Sequence, residues 1–367
     1  MKKTKSLAIL LIFGLTIFGL LAAFILIPDA EISRAERRKL QQKPELSTEA
    51  VLSGKYMEDL EAWMLDQFPL RDSFRRIKAG IRFDLMKQLD NNGVYLVGDG
   101  VYKLEYPLRE EQVNYAAEKI SSLCAGPLAG MNVYCAVVPD KNWYVAEKNG
   151  YPHLDYDRMT ELLLGGLPGD VQYVDLFGLL TEEDYYRTDT HWRQEEIFSV
   201  AETLASAMNA QEGLIPASEW TPHTLSPFYG VYCGQSALSV TPDTLTYLTS
   251  PATDSAVVTG AEFEGTKPVY DLDRFDDLDG YDVFLSGAQA VLTVECAEAK
   301  TGRELILFRD SFGSSLAPLL LGAYDKITLV DLRYISSSFL ESFVDFEDQD
   351  VLFLYSTSLL NSAMLLK

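Results

Sequence analysis

Short apolar segments of strand length alternate with segments of helical periodicity along most of this chain. Strand-like runs are predicted at residues 133–138, 171–176, 305–308, 327–330 and 351–355. Apolar residues at helical spacing predict helices at 110–123, 157–164, 197–208, 316–324 and 336–344. Strands joined by helices of this length are connected by right-handed crossovers. The sequence therefore predicts an α/β fold with a parallel sheet.

Three stretches depart from this alternation. Residues 28–90 contain helical segments and are predicted to be a juxtamembrane stalk, which ends where a domain spanning 91–367 begins. Residues 94–104 hold two short strands around Gly98-Asp99-Gly100, a pattern typical of a β-hairpin. Residues 210–300 are rich in Thr, Ser, Pro and Gly with short β-like pieces, and we expect them to form a β-rich insertion in the domain.

The N-terminus carries an uncharged apolar run over residues 7–27. At about 1.5 Å per residue, this run is long enough to cross a bilayer. Lys2, Lys3 and Lys5 precede it, which predicts that residues 1–6 stay in the cytoplasm. The run is longer than the apolar part of most cleaved signal peptides, which favours an uncleaved signal anchor over a removed signal. In either case the rest of the chain is predicted to lie outside the cytoplasm.

Charge and cysteine content exclude some functions. The chain has 31 Lys and Arg against 54 Asp and Glu, a net charge of −23, which argues against a nucleic-acid partner. Its four cysteines allow three disulfide pairings, and their spacing selects none over free thiols. No CxxC motif is present, so we expect no zinc site built on thiolates. We predict no metal and no cofactor. A metal site at His191 would need two or three further ligands, for which His153 and Asp155 are the candidates.

Two short segments combine residues that can perform nucleophilic catalysis. Ser311 follows the strand predicted at 305–308 and precedes a helix, so it lies at the edge of the sheet where α/β proteins bind ligands. His191 has Asp189 two residues before it, and a carboxylate can hold the imidazole in one tautomer. A serine needs such a base to accept its proton. For both segments, helix capping is the alternative interpretation.

Three further residues lie beside these segments or at another strand end. Lys141 and Asn142 follow the strand predicted at 133–138, where a lysine could pair with an acid and an amide could donate to an oxyanion. A solvated turn is the alternative. Trp192 could pack on His191 or present its ring to a sugar, and core packing is an equally good interpretation.

Seven blocks, in order, carry a resemblance to a known family. They are Ser33-Arg34-Ala35-Glu36-Arg37-Arg38, Asp66-Gln67-Phe68-Pro69-Leu70-Arg71-Asp72, Asn92-Gly93-Val94-Tyr95-Leu96, Val138-Pro139-Asp140-Lys141, Asp189-Thr190-His191-Trp192, Phe308-Arg309-Asp310-Ser311-Phe312 and Val330-Asp331-Leu332-Arg333-Tyr334. In these blocks the chain resembles the DHHW family of exported bacterial proteins. It is also similar to the alginate O-acetylation proteins with an SGNH-hydrolase-like domain.

The resemblance implies an SGNH-like three-layer α/β/α fold. It implies Ser311 as nucleophile, His191 as base and Asp189 as the residue that orients the base. Trp192, Lys141, Asn142 and Arg309 become the candidates for substrate binding. The Asp/His block precedes the serine block, which resembles the permuted order of the alginate branch. Two positions depart from the family pattern, because Thr190 replaces the first histidine and Arg309 replaces the glycine of a GDS-type block.

From these features we predict a membrane-anchored extracytoplasmic serine esterase or O-acetyltransferase. Its substrates would be an acyl donor and a cell-envelope or exopolysaccharide carbohydrate. The expected partners are the cytoplasmic membrane, through the N-terminal helix, and a membrane-bound O-acyltransferase. Two alternatives remain, namely a non-catalytic glycan-binding or scaffold protein of a polysaccharide machinery, and a structural envelope protein with an inactive site.

Overall fold

The computed structural model describes residues 2–33, 35–238 and 240–367, with side chains from Thr4 onwards. Met1 of the predicted cytoplasmic tail and Arg34 of the first sequence block lie outside the described residues. The chain divides into two compact units. The first consists of Met1–Asn92 and Cys233–Ser239, and the second of Gly93–Tyr232 and Val240–Lys367.

The first unit is mainly helical. Its helices are α1 (Lys2–Leu26), α2 (Thr48–Leu52), α3 (Lys55–Asp66) and α4 (Arg71–Gly80), which continues into a π-helical turn at Ile81–Leu85. Two short strands, β1 (Ile32–Ser33) and β2 (Arg38–Lys39), pair antiparallel. Within α1, Thr4–Leu26 is long and apolar enough to cross a membrane, with a mean hydropathy of 2.8. An N-terminal signal sequence has the same features.

A network of ion pairs connects α3, α4 and the strand segment of this unit. Arg38 donates to both oxygens of Asp66, at 2.5 and 2.8 Å. These hydrogen bonds lower the pKa of the Asp66 carboxyl to about 2. Glu36 accepts from Arg71 and lies 3.3 Å from Arg75. Arg71 and Arg75 of α4 therefore face other parts of the unit.

The second unit is built on a seven-stranded sheet. In chain order, the strands of the second unit are β3 (Val94–Val97), β4 (Gly100–Lys103), β5 (Asn132–Val138), β6 (Gln172–Val174), β7 (Thr221–Phe228), β8 (Asp243–Thr249), β9 (Val257–Gly260), β10 (Val291–Glu295), β11 (Glu304–Arg309), β12 (Lys326–Val330) and β13 (Asp350–Ser356). The sheet order is β6-β5-β13-β11-β12-β10-β9. The five strands from β6 to β12 in this order are parallel, and β10 pairs antiparallel with both β12 and β9. The pairs β3–β4 and β7–β8 form separate hairpins.

Helices cover both faces of this sheet. The helices that begin in the second unit are α5 (Glu110–Ala125), α6 (Asn142–Val145), α7 (Tyr156–Gly166), α8 (Phe198–Ala207), α9 (Val231–Ser236, which ends in the first unit), α10 (Pro251–Ser255), α11 (Phe312–Leu320) and α12 (Thr357–Leu360). Alternate residues of a strand face opposite sides. Accordingly, Leu307 and Leu352 pack in one core with α8 and α11, while Phe308 and Phe353 pack in a second core with α5 and α7. The predicted three-layer α/β/α fold is confirmed.

Two predicted helices differ from those observed. The helix predicted at 316–324 begins earlier, at Phe312, and ends at Leu320, because Leu321 already has extended backbone angles. The segment predicted as a helix at 336–344 is a 3-10 helix over Ser337–Ser342. Consecutive serines favour such short turns, since their side chains compete for backbone hydrogen bonds; Ser336 accepts from the Ser338 N–H.

Residues 210–300 contribute to the central sheet as well as to a hairpin. They supply β7 and β8, and also β9 and β10 at the antiparallel edge of the sheet. All four cysteines of the chain are free. Cohesion of the second unit therefore comes from its two apolar cores.

Replacement of Leu352 by alanine tests the position of the core. Leu352 lies on β13, an interior strand of the sheet, and is fully buried, so Leu352→Ala is expected to lower the free energy of unfolding by about 2–5 kcal/mol. Leu164→Ala is the control, because Leu164 on α7 is 38% exposed. Urea unfolding of the two variants measures the difference. Equal midpoints would contradict the assigned register of β13.

Candidate active site

Ser311 lies two residues after the end of β11 at Arg309 and directly precedes α11. Its side chain makes no capping hydrogen bond to the helix. Asp310 instead accepts the Phe312 N–H at 3.1 Å. The Ser311 Oγ atom is 2.7 Å from His191 Nε2. Ser311 therefore occupies the N-cap position of α11 without capping the helix through its side chain, and its hydroxyl lies within hydrogen-bond distance of an imidazole.

Asp189 holds the other side of this imidazole. His191 Nδ1 is 2.7 Å from Asp189 Oδ1, which also accepts the His191 backbone N–H at 3.1 Å. The backbone N–H of Val231 donates to Asp189 Oδ2 at 2.7 Å. This network assigns the proton to Nδ1 and leaves the Nε2 lone pair free to accept from the Ser311 hydroxyl. Serine, histidine and aspartate thus form one continuous chain of hydrogen bonds.

The loop that carries Asp189 is fixed by close backbone contacts. Thr188 donates to Asp243 through its backbone N–H at 2.8 Å and through its hydroxyl at 2.6 Å. Gly230 packs against the same loop, because a Cβ atom added there would lie 2.1 Å from the Thr188 carbonyl oxygen. The residue at position 230 therefore has to be glycine for the loop to keep this position.

Lys141 is buried underneath this loop. Its ammonium lies within hydrogen-bond distance of four backbone carbonyl oxygens, those of Val101, Tyr186, Arg187 and Asp189, at 2.8–3.1 Å, so its three N–H groups are shared among them. It also lies 4.7 Å from the ring centroid of Tyr102. The ammonium is thus occupied by backbone groups, and the geometry gives Lys141 a positioning role for the Asp189 loop.

Asn142 and Asp140 belong to a buried hydrogen-bond network at the end of β5. The Asn142 amide donates to the Lys103 carbonyl at 2.6 Å and accepts from Tyr95 Oη at 2.6 Å. Asp140 accepts from Thr357 Oγ1 at 2.8 Å and from Tyr156 Oη. Burial raises the pKa of the Asp140 carboxyl. The structure thus uses the Asn142 amide to fix the hairpin at Lys103.

Aromatic residues enclose His191. The Tyr281 ring stacks on the imidazole with a centroid distance of 3.7 Å and an interplanar angle of 4°. Tyr281 Oη and Trp192 Nε1 both donate to Ser315 Oγ, at 2.7 and 2.8 Å. Burial keeps the pKa of the Tyr281 phenol well above its usual range, so the hydroxyl remains a donor. Trp192 is fully buried and packs edge-on against Phe312, as the core-packing interpretation requires.

Arg309 is buried beside the nucleophile. Its guanidinium lies 3.9 Å from Asp331, which accepts two hydrogen bonds from Arg333 at 2.9 and 2.6 Å. Its contacts with the carbonyls of Gly287 and Asp310 are long, at 3.5 and 3.4 Å. Burial lowers the pKa of the Arg309 guanidinium. Arg309 is therefore buried at the carboxyl edge of the sheet, where its guanidinium contacts other groups of the protein.

The backbone N–H of Ser311 is available to donate a hydrogen bond to a substrate. Within residues 2–33, 35–238 and 240–367, the Ser311 N–H donates to no other group. A backbone N–H at the nucleophile can stabilise negative charge on a carbonyl oxygen under attack. The same described residues contain no group of three or more His, Cys, Asp or Glu side chains that could hold a metal ion.

Sequence reasoning did not find Tyr281, Ser315 or Val231. Ser315 lies four residues after Ser311, and this helical spacing is a signal that could have indicated a shared helix face. Tyr281 and Val231 come from the irregular region 210–300, and Val231 acts through its backbone alone. No pattern in the sequence marks either residue.

Comparisons with known proteins support the α/β fold of the second unit. No curated protein matches the chain significantly. A DHHW family protein from Eubacterium siraeum DSM 15702 aligns with a TM-score of 0.59 and 20% identity over 76% of this chain and 97% of its own. Bacillus cereus PatB1 with a sulfonyl adduct aligns with a TM-score of 0.59 and 18% identity over 73% and 95%, respectively. The O-acetyltransferase domain of Pseudomonas putida AlgJ aligns more weakly, at 15% identity and a TM-score of 0.44 over 73% and 92%.

A family model described as DHHW protein matches residues 173–330. This range includes Asp189, His191 and Ser311, and also Tyr281, which stacks on the histidine. The resemblance to the DHHW family that the sequence blocks indicate is therefore confirmed over residues 173–330, the part of the chain that holds the complete Ser–His–Asp arrangement.

Proposed function

We propose that this protein is a serine-dependent acyl esterase or O-acetyltransferase that acts on cell-envelope or exopolysaccharide carbohydrate. The observation that carries the proposal is the pair of 2.7 Å distances that join Ser311 Oγ to His191 Nε2 and His191 Nδ1 to Asp189. An imidazole oriented in this way is suited to accept the serine proton. The likeness to PatB1, whose structure contains a sulfonyl adduct, is consistent with such a site.

The reaction we propose has two steps. Ser311 Oγ attacks the carbonyl carbon of an acyl ester while its proton moves to His191 Nε2. The Ser311 N–H stabilises the oxyanion, and collapse of the tetrahedral intermediate expels the alcohol, which takes the proton from His191. Water or a sugar hydroxyl then attacks the acyl-serine while His191 accepts its proton, and cleavage of the Ser311 Oγ–acyl bond releases the acid or acylated sugar as His191 returns the proton to Ser311 Oγ. Asp189 keeps the imidazole in the required tautomer throughout and stabilises its charged form.

We also propose that α1 anchors the protein in the cytoplasmic membrane, with both units outside the cytoplasm. The length and apolar composition of Thr4–Leu26 support this, as does the pair of lysines that precedes it. A membrane-bound O-acyltransferase would be a suitable source of acyl groups for an enzyme held at this surface. The acyl acceptor would then be a carbohydrate that is assembled or exported nearby.

Covalent labelling tests the nucleophile. Phenylmethylsulfonyl fluoride is expected to form one sulfonyl adduct on Ser311 of the detergent-solubilised chain, because His191 activates only this hydroxyl. Peptide mass spectrometry locates the adduct. It should disappear in Ser311→Ala and persist in Ser122→Ala, since Ser122 is exposed on α5. A folded protein that binds an oligosaccharide without labelling would instead support the scaffold function.

Asp189→Asn tests the orientation of the base. An asparagine amide at this position favours the wrong imidazole tautomer, so hydrolysis of an activated acetyl ester should slow on the order of a thousandfold or more. Asp157→Asn is the control, because Asp157 is exposed on α7. A rate within about twofold of the unmodified chain would remove Asp189 from the proposed mechanism.

Gly230→Ala tests the backbone support of Asp189. The new methyl group would overlap the Thr188 carbonyl and the Asp189 N–H, which forces the loop or residues 230–231 to move. We expect at least a tenfold lower rate of acetyl-ester hydrolysis in a protein that remains folded by circular dichroism. Gly169→Ala is the matched control, since no atom lies within 4 Å of the added Cβ there. Equal rates in the two variants would contradict the tight packing at Gly230.

A further inference from the structure

We propose that α4 and the π-helical turn after it lie on the surface of an anionic lipid bilayer, the one that contains α1. The inference goes beyond the proposed chemistry of Ser311 and rests on the proposed anchoring by α1. It concerns only the first unit.

Two arginines of α4 face inward, whereas an apolar stripe and the basic residues Arg76 and Lys78 are exposed. Arg71 and Arg75 are partly buried and contact Glu36, and Arg75 also donates to the Gly234 carbonyl at 2.6 Å. An apolar stripe at helical spacing faces outward, and its residues are 45–77% exposed: Leu70, Phe74, Ile77, Ile81 and Leu85. A helix of a soluble protein normally shows the opposite arrangement. This exposed stripe requires an apolar environment.

The charge of this segment is opposite to that of the whole chain. Residues 71–89 contain six basic and two acidic residues, a net charge of +4, whereas the chain has −23. Four of the basic residues make no ion pair with any described residue: Arg76, Lys78, Arg82 and Lys87. Basic side chains beside an exposed apolar stripe are typical of helices that lie in a membrane interface and bind anionic headgroups.

Contacts within the unit bring α3, the helix before this segment, to the end of α1. The Trp63 ring lies 5.0 Å from that of Phe24, which is two residues before the end of α1. Trp63 Nε1 donates to Asp29 at 2.7 Å. Tryptophan is enriched at membrane–water boundaries, where its ring is apolar and its N–H can reach a polar partner. Trp63 therefore lies at the level expected for such a boundary.

The apolar surface continues from α3 into α4. Phe68 follows Trp63 by five residues, and its ring lies 5.8 Å from that of Phe74. Both rings are exposed by more than two fifths. The ion pairs of Arg38 with Asp66 and of Arg71 with Glu36 hold α3 and α4 in this arrangement. With α1 in the bilayer, the stripe would lie where the lipid acyl chains meet the headgroups.

Photo-crosslinking of the full chain in vesicles tests this contact. Phe74 is replaced by p-benzoylphenylalanine in vesicles of phosphatidylglycerol and phosphatidylcholine, and lipid adducts are measured by mass spectrometry. The same replacement at Asp72 is the control, because residues two positions apart on a helix do not share a face and Asp72 is exposed. We expect at least fivefold more lipid adduct from position 74. Equal yields, or crosslinking of position 74 to protein instead of lipid, would overturn the proposal.

Replacement of Phe24 on α1 by p-benzoylphenylalanine tests membrane anchoring by α1 independently of the lipid contact of α4. Adducts from position 24 without adducts from position 74 would overturn surface docking and leave the anchor intact. Adducts from neither position would reject the anchor, and docking with it. Both outcomes leave the chemistry proposed for Ser311 unaffected, because sulfonyl labelling tests that chemistry separately.

Two paired lysine variants test the contribution of lipid charge. The double variant Lys78→Gln/Lys87→Gln should give at least threefold less adduct from position 74 in the anionic vesicles. The matched control is Lys148→Gln/Lys300→Gln, which removes two exposed lysines of the second unit. In vesicles of phosphatidylcholine alone, the two double variants should give the same yield. Equal yields in anionic vesicles would overturn the assignment to an anionic surface.

Discussion

The buried ammonium of Lys141 is the interaction on which the geometry of the candidate site depends. Burial of a charge costs several kcal/mol unless polar groups replace its water. Here four carbonyl oxygens replace that water, and the faces of Tyr102 and Tyr232 provide further stabilisation. Three of these carbonyls belong to residues 186–189, so the cation also removes the repulsion that they would otherwise have for one another. The direction of the Asp189 side chain follows from that loop conformation.

The nucleophile and the residues that orient its base come from different parts of the second unit. Ser311 is placed by the central strand β11 and Lys141 by β5, both in the parallel part of the sheet. Val231 donates its backbone N–H to Asp189, and Tyr281 stacks on His191; both residues come from the region between residues 210 and 300. The sheet therefore supplies the reacting hydroxyl, and the irregular region fixes the imidazole that activates it.

Some residues of the candidate site have a local signal in the sequence, and others are placed only by tertiary packing. Ser311, Asp189 and His191 could be predicted because their signals are local, namely a strand end and a two-residue spacing. Lys141 and Asn142 were found for the same reason, but the direction of their side chains depends on the hairpin β3–β4, which is distant in sequence. The stacking of Tyr281 on His191 depends on tertiary packing of an irregular region, and no periodicity marks it. The strands at 133–138 and 351–355 were predicted well, since fully buried strands are continuous apolar runs.

The two edge strands of the central sheet affect the tendency of the protein to aggregate at high concentration. Its outermost strands, β6 and β9, have three and four residues, whereas the strands between them have five to seven. Val258 on β9 also exchanges two backbone hydrogen bonds with Lys267, at 2.9 and 2.8 Å, so the outer side of β9 is already occupied. Long free edges allow sheets of separate molecules to join into aggregates. Because this sheet ends in short and partly covered strands, it offers little template for intermolecular β-pairing.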